Sequence, residues 1–134
     1  LDSLNSRPAP IKYFYARSPL ASGILSGKMT STTVFPEDDC RSEWLKGERL
    51  VSIMKRVDEI KKKSDTPLPC LARRFVFDNE KINKVILGVK SPHHLNDLDR
   101  DVSAPPLPAA LVKKLTQLCL DDFGLPAAEK NLGY

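Results

Sequence analysis

At 134 residues, with 41% hydrophobic residues, the chain has the size of one small domain and enough apolar content for a core, which excludes wholesale disorder. Its formal net charge of +4 is mild and scattered. The dense run Lys61-Lys62-Lys63 falls at a predicted helix end, where cations suit the dipole, and nucleic acid is not indicated because duplex binding needs several convergent cations.

Residues 1–10 are polar with two prolines and read as an extended lead-in. Ile11 to Tyr15 is β-branched and aromatic, which predicts a short strand. Ser18-Pro19-Leu20-Ala21-Ser22-Gly23 then breaks regularity, and residues 28–42 read as a long loop. Within it, Asp38-Asp39 is expected to be solvated. From Glu43 to Lys62 the period is helical, with Leu50, Ile53, Met54, Val57 and Ile60 on one face, and Trp44 near its start reads as a packing or interface anchor. Thr66-Pro67 opens a second helix, with Leu68, Leu71, Ala72 and Phe75 inward and Asp78-Asn79-Glu80 at its end.

Val85 to Val89 is a continuous apolar run, as expected for a strand covered on both faces. Gly88-Val89-Lys90-Ser91-Pro92 follows it and opens a third helix. A strand that ends in this way can hold a phosphate: N–H groups at a helix start lack internal partners and carry partial positive charge, and Lys90 adds a full one. Ser at the N-cap with Pro next is also the ordinary way to begin a helix, and spacing leaves both readings open. Pro105-Pro106 breaks the chain, Pro108 opens a fourth helix with Leu111, Leu115 and Leu118 inward, and the tail from Gly124 has no strong pattern. Strands alternating with helices predict an α/β fold with crossover units on a parallel sheet.

Other chemistry finds little support. Cys40, Cys70 and Cys119 are widely spaced and odd in number, a poor disulfide framework. Cys70 and Cys119 are expected to be buried thiols, in a reducing intracellular compartment. His93-His94 has no further ligand at metal spacing, so no metal is expected. No run of about 18 apolar residues provides a membrane span. The first residue is Leu, so the expectation is that a targeting segment has been removed or that the sequence is part of a longer chain. A mature organellar protein, in the mitochondrial matrix for example, fits the start and the charge.

Three groups of residues together are distinctive: the segment from Tyr15 to Lys28 with its Ser18-Pro19-Leu20, the segment Thr66-Pro67-Leu68-Pro69-Cys70-Leu71-Ala72-Arg73-Arg74-Phe75-Val76, and Val85 to Leu95 followed by Ser103-Ala104-Pro105-Pro106-Leu107-Pro108. In that order they resemble the C-terminal part of the aldo/keto reductases, NADPH-dependent enzymes with a (β/α)₈ TIM barrel. The resemblance implies that Ile11–Tyr15 is barrel strand seven and Val85–Val89 strand eight. The expected fold is a partial (β/α)₈ TIM barrel of about two βα units plus C-terminal helices, not a closed barrel, over residues 11–120, with a tail at 121–134. It also implies that Ser18, Leu20, Ser22 and Gly23 lie along the cofactor pyrophosphate, and that Lys90, Ser91 and His94 surround the 2′-phosphate of NADP.

Departures from the family pattern bear on that site. Arg17 stands where the family has a Tyr that stacks on the nicotinamide, and His94, Asp97 and Leu98 stand where it often has Gln or Arg and a Glu-Asn pair at the adenine. The NADP site therefore reads as eroded at Arg17 and Leu98. The family's catalytic Asp, Tyr, Lys and His lie on its first four strands, to which nothing here corresponds, so no catalytic residue is assigned. Tyr13 cannot take the role, since Lys12 in a strand would point to the other face.

Two strands cannot close a barrel that needs eight and about 250 residues. Open edges and wet apolar faces then imply other protein chains, or a packing very different from the parent barrel. Three functions remain: a catalytically incomplete subunit with a structural or interaction role in a larger assembly, which the departures favour; a piece of an NADPH-dependent carbonyl reductase completed by a chain carrying the catalytic Tyr; or a non-catalytic NADPH-binding module.

Overall fold

The structure, a computed structural model, describes residues 12–126. The expected lead-in at 1–10, the start of the first strand at Ile11 and the tail beyond residue 126 lie outside the described residues.

The elements run β1 (Tyr15–Arg17), a kinked 3₁₀ segment (Ala21–Ser26), α1 (Arg41–Trp44), α2 (Gly47–Lys61), α3 (Leu68–Phe77), β2 (Lys84–Ile86), α4 (Pro92–Ser103), α5 (Ala109–Leu120) and a 3₁₀ turn (Asp122–Gly124). The two strands pair in parallel, with Tyr15 opposite Lys84, Ala16 opposite Val85 and Arg17 opposite Ile86. The helices between them make the crossover that a parallel pair needs.

The first strand is shifted from the expected Ile11–Tyr15 to Tyr15–Arg17, and the cause is register. The Phe14 carbonyl accepts from the N–H groups of Asn83 and Lys84 at 2.9 and 3.3 Å, and the Phe14 N–H donates to the Asn83 side chain at 2.8 Å. Before Asn83 the partner chain is a turn, closed by the Ile82 N–H on the Asn79 carbonyl. Nothing is left there for Lys12 and Tyr13 to pair with. The expectation that Lys12 and Tyr13 alternate across a strand fails for the same reason: the Lys12 ammonium lies 5.5 Å from the Tyr13 ring centre.

The second strand is also shorter than expected, and it is not covered on both faces. Val85 and Leu87 are half-buried, whereas Ile86 is 58% exposed and Val89 41%. Ala16 and Val85, on one face of the pair, are half-buried, while Tyr15 and Ile86, on the other, are exposed among the described residues.

The long helix expected from Glu43 to Lys62 is divided. Leu45 leaves helical geometry and Lys46 is extended, so α1 stops after one turn and α2 begins at Gly47. Gly47 has φ +56°, a conformation that costs glycine little and other residues more. Along α2 the inward face is as expected: Leu50, Ile53, Met54 and Val57 are buried, together with Ser52. They join Ile24, Met29, Leu45 and Leu68 in one core, against which Trp44, Phe35 and Ile60 pack.

In α3, Leu68 and Leu71 are buried as expected, but so are Arg73 and Arg74. Arg73 pairs with the buried Asp101 of α4, Nε to carboxylate at 2.5 Å. Arg74 pairs with Asp78 and also donates to the Val102 carbonyl at 3.2 Å. The other Asp78 oxygen accepts the Leu107 N–H at 2.8 Å. One ionic network thus ties α3, α4 and the Pro105-Pro106 segment.

Leu115 of α5 is buried and Leu111 and Leu118 half-buried, as its period predicts. The cysteine expectation needs correction. Cys119 is exposed and Cys70 only half-buried, with Cys40 exposed as well. Cys119 follows the inward Leu118 by one residue, about 100° around the helix.

Candidate functional site

The candidate site lies where the loops after β1 and β2 leave the C-terminal ends of the parallel strands. The loop after β1 is conformationally unusual. Ser18, Ala21, Ser22 and Gly23 have φ of 54°, 47°, 55° and 91°. Three of these are not glycine, so surrounding contacts must hold the backbone there. Local hydrogen bonds supply some of that: the Ala21 N–H donates to the Ser18 carbonyl at 2.8 Å, and the Gly23 and Leu25 N–H groups to the Leu20 carbonyl at 2.9 and 3.1 Å. Ile24, 3% exposed, anchors the segment in the core.

The remaining support comes from residues whose position the sequence did not disclose. Arg41, the first residue of α1, donates through Nη1 to the Ser22 carbonyl at 3.2 Å. Its Nε meets both oxygens of Asp39, at 2.9 and 3.1 Å, and its backbone N–H meets Asp39 Oδ1 at 2.9 Å. The guanidinium also lies over the Phe35 ring, 4.5 Å from its centre. Asp39 was expected to be merely solvated. Instead the Arg41 side chain, then its N–H, hold its carboxyl down at a pKa of about 2, with a smaller pull from the charge of Lys90. The one available sequence signal was the Asp-x-Arg spacing, which means nothing until a turn folds the two side chains together.

In the loop after β2, Lys90 is exposed. Ser91 has the extended backbone of an N-cap, and its hydroxyl accepts the His94 N–H at 3.4 Å, with Pro92 beginning α4. His94 turns back, its Nδ1 accepting the Lys90 N–H at 3.3 Å. The ordinary helix-start reading of Ser91 is therefore met by its geometry, and the ammonium of Lys90 remains as the charge this loop offers. The charge of Lys90 also acts weakly on Asp39. The seven expected residues thus fall into two groups, Ser18, Leu20, Ser22 and Gly23 on one loop and Lys90, Ser91 and His94 on the other.

Arg17 is exposed at the end of β1. Asp97 accepts from Arg100 at 2.7 Å and lies 3.6 Å from His93, while Leu98 is half-buried. Tyr13 and Tyr15 are tilted neighbours, 6.5 Å between ring centres, and the Lys84 ammonium lies 5.8 Å from the Tyr15 ring centre. Among the described residues no group of three or more His, Cys, Asp and Glu side chains is placed to hold a metal, and no helix is long and apolar enough to cross a membrane. A cleft of about 380 Å³ lies beside the core between Ile24, Leu25, Ile53, Arg56 and Phe123; neither Lys90 nor Ser91 lines it.

The model for the aldo/keto reductase family matches residues 12–119. No curated protein and no solved structure matches the chain.

Proposed function

Because the chain belongs to the aldo/keto reductase family, we propose that it acts as a catalytically incomplete barrel segment, an interaction subunit that seats its open strand pair against strands of another protein chain. The observation that carries this is the face of the strand pair that is exposed among the described residues, where Tyr15 and Ile86 are 56% and 58% exposed on directly neighbouring strands, beside Arg17 and Lys84. Two paired strands leave unsatisfied N–H and C=O groups along both outer edges, and further strands would satisfy them while covering the apolar side chains.

Lack of turnover by these residues alone is supported by their chemistry. The family's proton donor is a Tyr on an earlier strand. Tyr13 and Tyr15 do not match its place in the family's motif. Arg17, where the family stacks a Tyr on the nicotinamide, would bring a cation against a ring that is positive when oxidised.

A second reading is favoured by the loop after β2. Lys90 is exposed beside the start of α4, and the loop after β1 corresponds by the resemblance to the one that the family lays along the pyrophosphate. In this reading Lys90 holds the 2′-phosphate of NADP and Ser18, Leu20, Ser22 and Gly23 flank the pyrophosphate, so the segment retains a cofactor grip. The reduced cofactor, NADPH, would supply the hydride and the Tyr the proton in a barrel completed by a chain that carries the Tyr, leaving NADP+ and an alcohol.

The test is co-purification of the chain from its native source, followed by addition of NADPH and an aldehyde. The interaction role predicts co-migration with other protein chains and a flat absorbance trace. Elution as a stable monomer would sink it. Steady NADPH consumption by the co-purified assembly would replace it with the completed reductase.

A further inference from the structure

Arg41 touches more of the loop architecture than any residue singled out by sequence. We propose that Arg41 is a positioning residue, a strut between Asp39 and the Ser22 carbonyl that sets where the Ser18–Gly23 backbone presents itself to a dinucleotide's phosphates. This rests on the cofactor grip described above.

Three features of the geometry support a strut over a direct phosphate ligand. First, the guanidinium is already committed: Nε and Nη2 lie on Asp39 Oδ1 and Oδ2 at 2.9 and 2.5 Å, and Nη1 on the Ser22 carbonyl at 3.2 Å. A bidentate pair of this kind orients as well as binds. Second, Asp39 also accepts the backbone N–H of Arg41 at 2.9 Å, so the carboxylate fixes both the main chain and the direction of its side chain. The Phe35 ring, 4.5 Å away, supports the flat side of the guanidinium. Third, the carbonyl it holds belongs to Ser22, at φ 55° and beside Gly23 at φ 91°. A Cβ on Gly23 would come within 3.2 Å of Arg41 Nη1, so strut and loop are in close contact. With Ile24 held in the core on one side, the Arg41 contact fixes the other side of the bend. Without it the Ser22 carbonyl loses its cation, and the loop can relax toward commoner backbone angles.

The strut and a simple charge effect predict opposite signs for Asp39→Asn. Removing a negative charge near Lys90 should tighten phosphate binding if charge governs. If Asp39 matters because it aims Arg41, the same change weakens binding. The test uses the full chain with Arg41→Ala, Arg41→Lys and Asp39→Asn, read by amide hydrogen exchange and by NADP+ titration. Arg41→Ala should speed exchange at Gly23 and Leu25 by about tenfold or more, the scale of one charge-assisted hydrogen bond. Amides of α3 should be unchanged, which separates loop release from unfolding. NADP+ affinity should fall in Arg41→Ala and in Asp39→Asn, with Arg41→Lys between wild type and Ala. Unchanged exchange at Gly23 and Leu25 in Arg41→Ala, or tighter NADP+ binding by Asp39→Asn, overturns the strut. Should the wild-type chain take up no NADP+ while Arg41→Ala still loosens the loop, the cofactor reading falls and the strut stands.

Discussion

Lys90 and Asp39 illustrate how residues of opposite charge on two loops do different work. Lys90 is exposed, with its N–H given to His94 and its ammonium free of any cap role. In the cofactor reading, Lys90→Ala weakens NADP binding by about 1.5–3 kcal/mol, the value of a hydrogen bond to a charged group, and weakens NAD binding much less. Parallel titrations of the two dinucleotides check this, and equal losses would show that Lys90 does not meet the 2′-phosphate. Asp39 has its carboxyl held at about 2 by the Arg41 hydrogen bonds, against an ordinary 3.8. A carboxylate with a depressed folded-state pKa contributes stability that is fully present above its unfolded value and lost as pH falls through the folded one. The Ser22 and Gly23 amide signals should therefore hold steady from neutrality to about pH 4 and move between there and pH 2. A midpoint at or above 3.8 would mean that the Arg41 pair does not persist in solution. Cys70 makes a third case. Burial, and then a contact with Asp101, raise its thiol pKa, and the thiolate is the reactive form. Iodoacetamide at pH 8 should label the exposed Cys40 and Cys119 well before Cys70, which peptide mass mapping will show.

Among the elements, α3 and α4 depend on a buried ionic network where sequence periodicity promised only an apolar seam. Asp101 is 1% exposed, with Arg73 on its carboxylate and Arg74 within 3.4 Å of its carbonyl. Removing one partner of such a pair leaves buried charge uncompensated and typically costs about 3–5 kcal/mol. Asp101→Ala should lower urea stability by that amount. Breaking the solvent-exposed pairs Lys61–Asp58 and Lys62–Glu59 at the end of α2 should change it far less, because water screens them. Helix starts were the legible part of these elements. Ser91-Pro92 and Pro108 open α4 and α5 where the cap chemistry says they should. The break at Leu45 and Lys46 was not legible, since apolar spacing continues through it and only the positive φ of Gly47 marks the restart.

At the scale of the whole molecule, the open sheet is the dominating fact. β1 and β2 pair with each other over three residues each and leave Tyr15, Ile86 and Val89 in solvent. An isolated two-stranded pair is marginal in water, and the helical core around Leu50 and Leu45 carries the fold. Two consequences differ in sign. Leu50→Ala should destabilise the chain by about 2–5 kcal/mol, as for other fully buried leucines. Ile86→Lys should leave thermal stability nearly unchanged while reducing self-association or partner capture, which analytical ultracentrifugation measures. A large loss of melting temperature in Ile86→Lys would mean that the bare face is packed in solution.

Local chemistry alone determined a good deal of this protein. The helical faces of α2 and α5 and the capped start of α4 follow from periodicity and caps, because each depends on residues close in sequence, and three motifs in order carried the resemblance to the barrel family that the match over residues 12–119 bears out. What only the tertiary structure decided is which distant groups meet. It brought Arg41 to the Ser22 carbonyl, Arg73 to Asp101 and Phe14 to Asn83. It also moved β1 to Tyr15–Arg17, because a strand exists only where another chain segment answers its hydrogen bonds.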